Sequence, residues 1–209
     1  MFELNSVFEN KYLGEWLLLL LAGWSSGISI YLTLGLLGLG GYLGGFPLPG
    51  ELQVLANPLV FSIAFIIFAI EFIADKIPFV DSLWDSVHTL IRPIGALALG
   101  YLAGSEHGPI AQSVYAVFMA GLTLQTHTAK AASRLAINTS PDPFSNIAAS
   151  IIEQSVVIGM YWFFIKHPIL ASLAILALLA LSFFLIRLLW KFVKKIFRFF
   201  RAAPSQQTG

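Results

Sequence analysis

Seven ionisable residues fall within 22 positions of an otherwise apolar chain: Glu71, Asp75, Lys76, Asp81, Asp85, His88 and Arg92. The whole chain is 57% hydrophobic and 11% charged, so this concentration needs a physical reason. Glu71 and Asp75 share a face if their segment is helical. Two carboxylates on one face are costly against lipid. They suit a hard-cation or proton site with oxygen ligands. Equally, Glu71 can pair with a base from another segment while Asp75 and Lys76 sit at headgroup level. Asp81, Asp85, His88 and Arg92 continue the series at helical spacing, as one polar stripe. That stripe suits a proton or ion relay, with His88 titrating near neutral pH. Glu71, Asp75, Asp85 and His88 are also the candidate metal ligands, being hard to borderline donors. The plainer reading is the wet face of an interfacial helix, with Arg92 reaching for phosphate.

A second polar series lies further on. His127, Lys130 and Arg134 recur at helical spacing after Thr123. This cationic face can partner the acidic stripe, since opposite charges are less costly to bury together than apart. It can instead bind an anionic solute or a lipid headgroup. Glu153 lies ten residues beyond Pro143, hence about 15 Å along a helix. That is close to the centre of a bilayer, where a carboxylate is a functional candidate by default. Ser25, Ser26 and Ser29 form a milder polar patch, whose hydroxyls are expected to bond back to their own helix.

Long apolar stretches must position these residues, which makes the chain an all-α polytopic membrane protein. Six transmembrane helices are expected: about Trp16–Gly40, Pro58–Ala74, Leu83–Leu102, Ile110–Ala136, Ser145–Ile165 and Ile169–Trp190. Gly23-x-x-x-Gly27 allows close helix approach in the first, and Pro93 should kink the third. Gly40–Gly50 reads as a loop or a partly re-entrant segment. Basic residues crowd the C-terminal end, so the positive-inside rule puts both the N and C termini in the cytoplasm. Matching pieces, such as Lys76-Ile-Pro78 and Lys166-His-Pro168, suggest two inverted three-helix repeats. The expected organisation is an N-terminal interfacial segment (1–15), a first three-helix half (16–104), a second half (105–190) and a basic amphipathic cytoplasmic tail (191–209). Glu3, Glu9 and Glu15 stand where a signal peptide would carry basic residues, so the first apolar segment is expected to remain in the mature protein.

The series Glu71-Phe-Ile-Ala-Asp75-Lys76-Ile-Pro78, Asp81, Asp85, His88 and Arg92-Pro93 resembles a bacterial integral membrane family, domain-of-unknown-function family 4126. Lys130-x-x-x-Arg134 and Pro143 through Glu153 are similar to it as well. The resemblance implies a helical membrane fold and brings no activity.

With no cysteine, thiolate metal sites and cysteine nucleophiles are excluded. Walker A and His-Glu-x-x-His sequences are absent, which argues against an ATP-driven pump and a zincin. The leading expectation is a small secondary transporter or channel for an ion or small solute, proton-coupled through buried carboxylates. One alternative is a lipid-binding or lipid-scrambling protein using Arg92, His127, Lys130 and Arg134. Another is an intramembrane enzyme using the Asp85/His88 pair. No cofactor is expected. The expected partners are the bilayer, anionic lipids at the C-terminal tail, the solute and a further copy of the chain, with no nucleic acid. The expected location is the inner (plasma) membrane.

Overall fold

The structure is a computed structural model that describes residues 7–137 and 143–202. Among them the chain is helical and has no strand. Helices α1 (Lys11–Ile28) and α2 (Ile30–Tyr42) are separated by Ser29 alone. A loop and a 3-10 turn (Gly50–Ala56) lead to α3 (Pro58–Ala74). Then come α4 (Pro78–Ala103), α5 (Pro109–Ile137), α6 (Pro143–Lys166) and α7 (Pro168–Ala202). Each helix from α3 onward opens on a proline, which costs nothing where the backbone N–H has no helical partner. Asn10 and Asn57 cap α1 and α3 with their side-chain oxygens. Helix α4 runs through Pro93 without interruption.

Contacts fix the helix directions. Down α1, Glu15 meets Tyr115, the Gly23 carbonyl accepts from Thr123, and Gly27 abuts Thr126. So α1 runs parallel to α5. Along α2, Ser29 meets Glu71, Gly35 meets Phe65 and Gly38 meets Phe61, so α2 is antiparallel to α3. Asp75, at the end of α3, reaches Lys130 near the end of α5. Helix α3 therefore runs with α5, and α2 runs against both. The Thr33 hydroxyl bonds the Ser25 hydroxyl at 3.0 Å across this turn. Eight residues on one continuous helix would stand about 12 Å apart.

The first expected span, Trp16 to Gly40, is therefore not one crossing. It is a helical hairpin that enters from one end, turns at Ser29 and returns. Pro47, Leu48 and Pro49 lie beside Phe8, Lys11 and Glu15 at the hairpin's open end. Gly50 sits there with φ +53°, and a Cβ on it would stand 2.6 Å from the Leu102 carbonyl oxygen, so glycine is required. Five helices, α3 to α7, run end to end among the described residues. Lys11 and Ala202 consequently lie at opposite ends, which departs from the expectation of both termini on one side. The halves 16–104 and 105–190 also differ element by element. The first holds the broken hairpin, the second three continuous helices. Residues 1–6 of the expected N-terminal segment and 203–209 of the expected tail lie outside the described residues.

Burial is inverted relative to a water-soluble protein. Ile63, Ile66, Ile70 and Ile73 of α3 and Leu83, Val87, Leu90 and Ile94 of α4 face outward. Asp75, Asp81, Asp85, Arg92 and Lys130 face inward. Every residue of α1 from Leu18 to Ile28 is buried, which makes it the central helix. Its Leu18, Leu21 and Trp24 join Met119, Val157, Phe164 and Ile175 in the core.

Candidate functional site: a broken helix inside an ion-pair chain

The break at Ser29 leaves no backbone group of that residue without a partner. Its N–H bonds the Ser25 carbonyl at 3.0 Å and its carbonyl accepts from Thr33 N–H at 3.1 Å. Its hydroxyl caps α2 by accepting from Leu32 N–H at 3.2 Å and donates to the Glu71 carboxylate. A helix can be interrupted at membrane depth only where protein satisfies the freed groups. The last carbonyls of α1 are satisfied by cations: Gly27 by Arg92 Nη1 at 3.3 Å, Ile28 by Lys130 Nζ at 3.2 Å. Thus cations meet the negative end of α1 and a carboxylate meets the positive end of α2, the favourable sense at both.

Arg92 is the hub and is fully enclosed. Its Nη2 holds Glu71 Oε1 at 2.8 Å and its Nη1 stands 3.2 Å from Asp85 Oδ1. Nη1 also donates to His127 Nδ1 at 2.6 Å. Since Nδ1 accepts, the network assigns the ring proton to Nε2, which meets the Thr89 hydroxyl at 3.0 Å. Thr89 in turn donates to the Asp85 carbonyl at 2.9 Å.

Lys130 holds Asp75 Oδ2 at 2.9 Å and lies 3.8 Å from Asp85 and 3.9 Å from Glu153. Arg134 grips Glu153 with two bonds, 3.2 Å from Nε and 2.6 Å from Nη2. Its Nη1 donates to the carbonyls of Asp75 and Asn146, both at 3.2 Å. The result is one alternating chain: Glu71, Arg92, Asp85, Lys130, Asp75, Arg134, Glu153. Four helices, α3 to α6, contribute to it. Asp81, fully buried, lies within electrostatic reach of Arg134 as well.

The charge partnership expected between the acidic stripe and the basic face is thus present. Other expectations change. His88 does not pair with Asp85: its Nδ1 meets the Trp84 carbonyl at 2.8 Å and its Nε2 the Tyr31 hydroxyl at 3.3 Å. It stacks on Trp84 with centroids 4.5 Å apart. The candidate metal ligands Glu71, Asp75, Asp85 and His88 face cations or ring partners. Among the described residues no group of three or more His, Asp or Glu side chains could hold a metal. Asp75 and Asp81 are enclosed by protein, where the sequence suggested headgroup depth. Glu153 is the outermost member, its side chain 19% exposed. Sequence reasoning missed the roles of Ser29, Thr89 and Asn146. An N-cap serine after Gly27-Ile28 was the available signal for Ser29.

A half-open groove of about 210 Å³ between α4 and α5 reaches this chain, lined by Ser82, Asp85, Ser86, Thr89 and Arg134 among others. Asp85 is 5% exposed, and neither of its carboxylate oxygens accepts a hydrogen bond. Beside Glu71 and the Ser29 hydroxyl, the Thr33 hydroxyl meets the Ser29 carbonyl and the Ser25 hydroxyl, and Ser25 meets Tyr161. Tyr161 stands against Phe46, which packs on Phe164.

Outward apolar faces and an enclosed ionic interior define a helical membrane protein. Phe144–Lys166 and Pro168–Leu188 are each long and apolar enough to cross a bilayer. The Gly50–Ala56 turn and α3 pass the same test only when taken together, and they are bent by 73° at their junction. The sequence profile of the family described as Domain of unknown function (DUF4126) matches residues 17–188, and the chain belongs to that family. No curated protein and no solved structure matches the chain.

Proposed function

We propose that this protein is a small secondary transporter or channel that moves protons or a small cation. Asp85 carries the reading. It is a buried carboxylate with unused acceptor capacity, on the wall of a groove, one ion pair from the break in a central helix. Discontinuous helices with charged partners at both half-helix ends are the substrate sites of many transporters. The open carboxylate oxygens of Asp85 favour a positive species. The groove, Asp85, Arg92, Glu71 and the hydroxyls of Ser29, Thr33, Ser25 and Tyr161 form the path, and the Phe46–Phe164 contact closes it.

In this reading α3 to α7 make five crossings and α1–α2 is re-entrant. Helices α4 and α5, 26 and 29 residues long, span about 39 and 43 Å. Their charges face the bundle, so composition alone undervalues them. In the same reading the Asp75 end faces the cytoplasm across a plasma membrane; exposed Lys191 and Lys194, suited to anionic lipid, support that sense. The start of α1 then lies outside. Reporters fused at the two termini should score on opposite sides; the same side for both rejects this topology.

The lipid-headgroup alternative is weakened because Arg92, Lys130 and Arg134 are buried against carboxylates. The enzyme alternative loses its Asp85/His88 pair. The test is flux in proteoliposomes loaded with a pH-sensitive dye, with potassium and sodium gradients in parallel. The wild type should move charge and Asp85→Asn should lose most of it. Equal flux in both, or none in the wild type, rejects the function.

A further inference from the structure

The opposite end of the bundle carries a second cavity, and the argument for it is independent of the transport reading. Glu15, on α1, is 3% exposed. Its Oε2 accepts from His107 Nε2 at 2.7 Å and from the Tyr115 hydroxyl at 3.1 Å. Its Oε1 accepts nothing. Glu15 lines a half-open cavity of about 290 Å³ together with Phe8, Pro47, Leu48 and Pro49. Gln53 and the exposed Lys11–Glu106 ion pair complete the lining.

An enclosed carboxylate oxygen with no donor calls for one. The charge on Glu15 favours a cationic donor. The walls decide what the cation carries. A phenyl ring, prolines and a leucine cannot replace the hydration shell of an inorganic ion. They do accept an alkyl group, and the Phe8 face attracts an ammonium. The volume lies at the lower end for ligand pockets, which suits a small guest.

We propose that this cavity binds a small primary organic amine in its ammonium form. The ammonium donates to Glu15 Oε1, and the alkyl chain lies against Phe8 and Leu48. Lys11 is the built-in competitor: it is itself an alkylammonium, held at the cavity by Glu106.

The test is calorimetric titration of the full-length protein with n-propylammonium chloride, against tetramethylammonium and potassium chlorides. Propylammonium should bind saturably. Tetramethylammonium, which has no N–H, should bind roughly tenfold more weakly, the worth of one charged hydrogen bond. Potassium should not compete. Glu15→Gln should weaken propylammonium binding by a similar factor or more. Lys11→Ala, at an exposed position, should strengthen it. Absent saturable binding, equal binding of the quaternary ion, or an unaffected Glu15→Gln variant overturns the proposal. So does a Lys11→Ala variant whose affinity is unchanged or lower, a loss there meaning that the guest is an anion. Should Glu15→Gln fail to fold, the Lys11→Ala variant and the quaternary ion decide.

Discussion

Carboxylates are buried at both ends of this bundle, with different partners. At the inner end, Glu71, Asp75 and Asp85 each face a guanidinium or ammonium from another helix. At the outer end, Glu15 is held by an imidazole and a phenol, and one oxygen is left over. The first arrangement ties four helices together through buried cations. The second holds its carboxylate without a guanidinium or ammonium partner, beside an open cavity. Burial of a charge thus does two jobs here, and the partner chemistry tells them apart.

The strongest way to break this comparison is to remove the hub. Arg92→Met strands Glu71 without its cation and leaves Asp85 only Lys130 at 3.8 Å, and should cost about 3–5 kcal/mol in denaturant unfolding from detergent. The double variant Glu71→Gln/Arg92→Gln should regain most of that loss. A single variant as stable as the wild type would mean that the ion pairs do not hold the bundle. Next comes Gly27→Ala. A Cβ there would stand 2.5 Å from Thr126 Cβ and 2.6 Å from the Thr123 carbonyl oxygen, so α1 must move off α5. Overpacking of this kind costs about 1–3 kcal/mol, readable as a lower unfolding midpoint. Glu15→Gln should cost only about 1 kcal/mol by the same measurement, because no opposing buried charge is orphaned. A cost equal to that of Arg92→Met would erase the distinction between the two ends.

The smallest effect belongs to the outer rim. The Lys11 hydrogen bond holds the Glu106 carboxyl below its ordinary range, and Glu106 holds the Lys11 ammonium above its own. A depressed carboxylate stabilises above its unfolded pKa and loses that contribution as pH falls through the folded value. This pair is exposed and screened. Melting followed from neutral to acidic pH should therefore be the same for Lys11→Ala and the wild type.

The helices were largely legible. Proline at the first position of α3 to α7 and long apolar runs mark their starts and extents. The carboxylates and cations of the chain were legible too, because charge in an apolar sequence must be paired. Their pairing order was not, since Asp85 and Arg134 reach partners on several helices. The hairpin was hidden for a different reason. Leu17 to Gly40 carries no charged residue, and a single serine seldom ends a helix. Ser29 does so only because Glu71, Arg92 and Lys130 arrive to satisfy the freed ends.

Composition and spacing by themselves determined that this chain is a helical membrane protein whose charges turn inward. Lipid admits only self-satisfied helices and rejects unpaired charge, so that outcome is written in the residue types. Tertiary structure alone decided that the first apolar segment turns back, that Lys11 and Ala202 lie at opposite ends, and that Glu15 keeps a free oxygen. Those outcomes depend on which groups from distant segments meet, and no local pattern encodes the meeting.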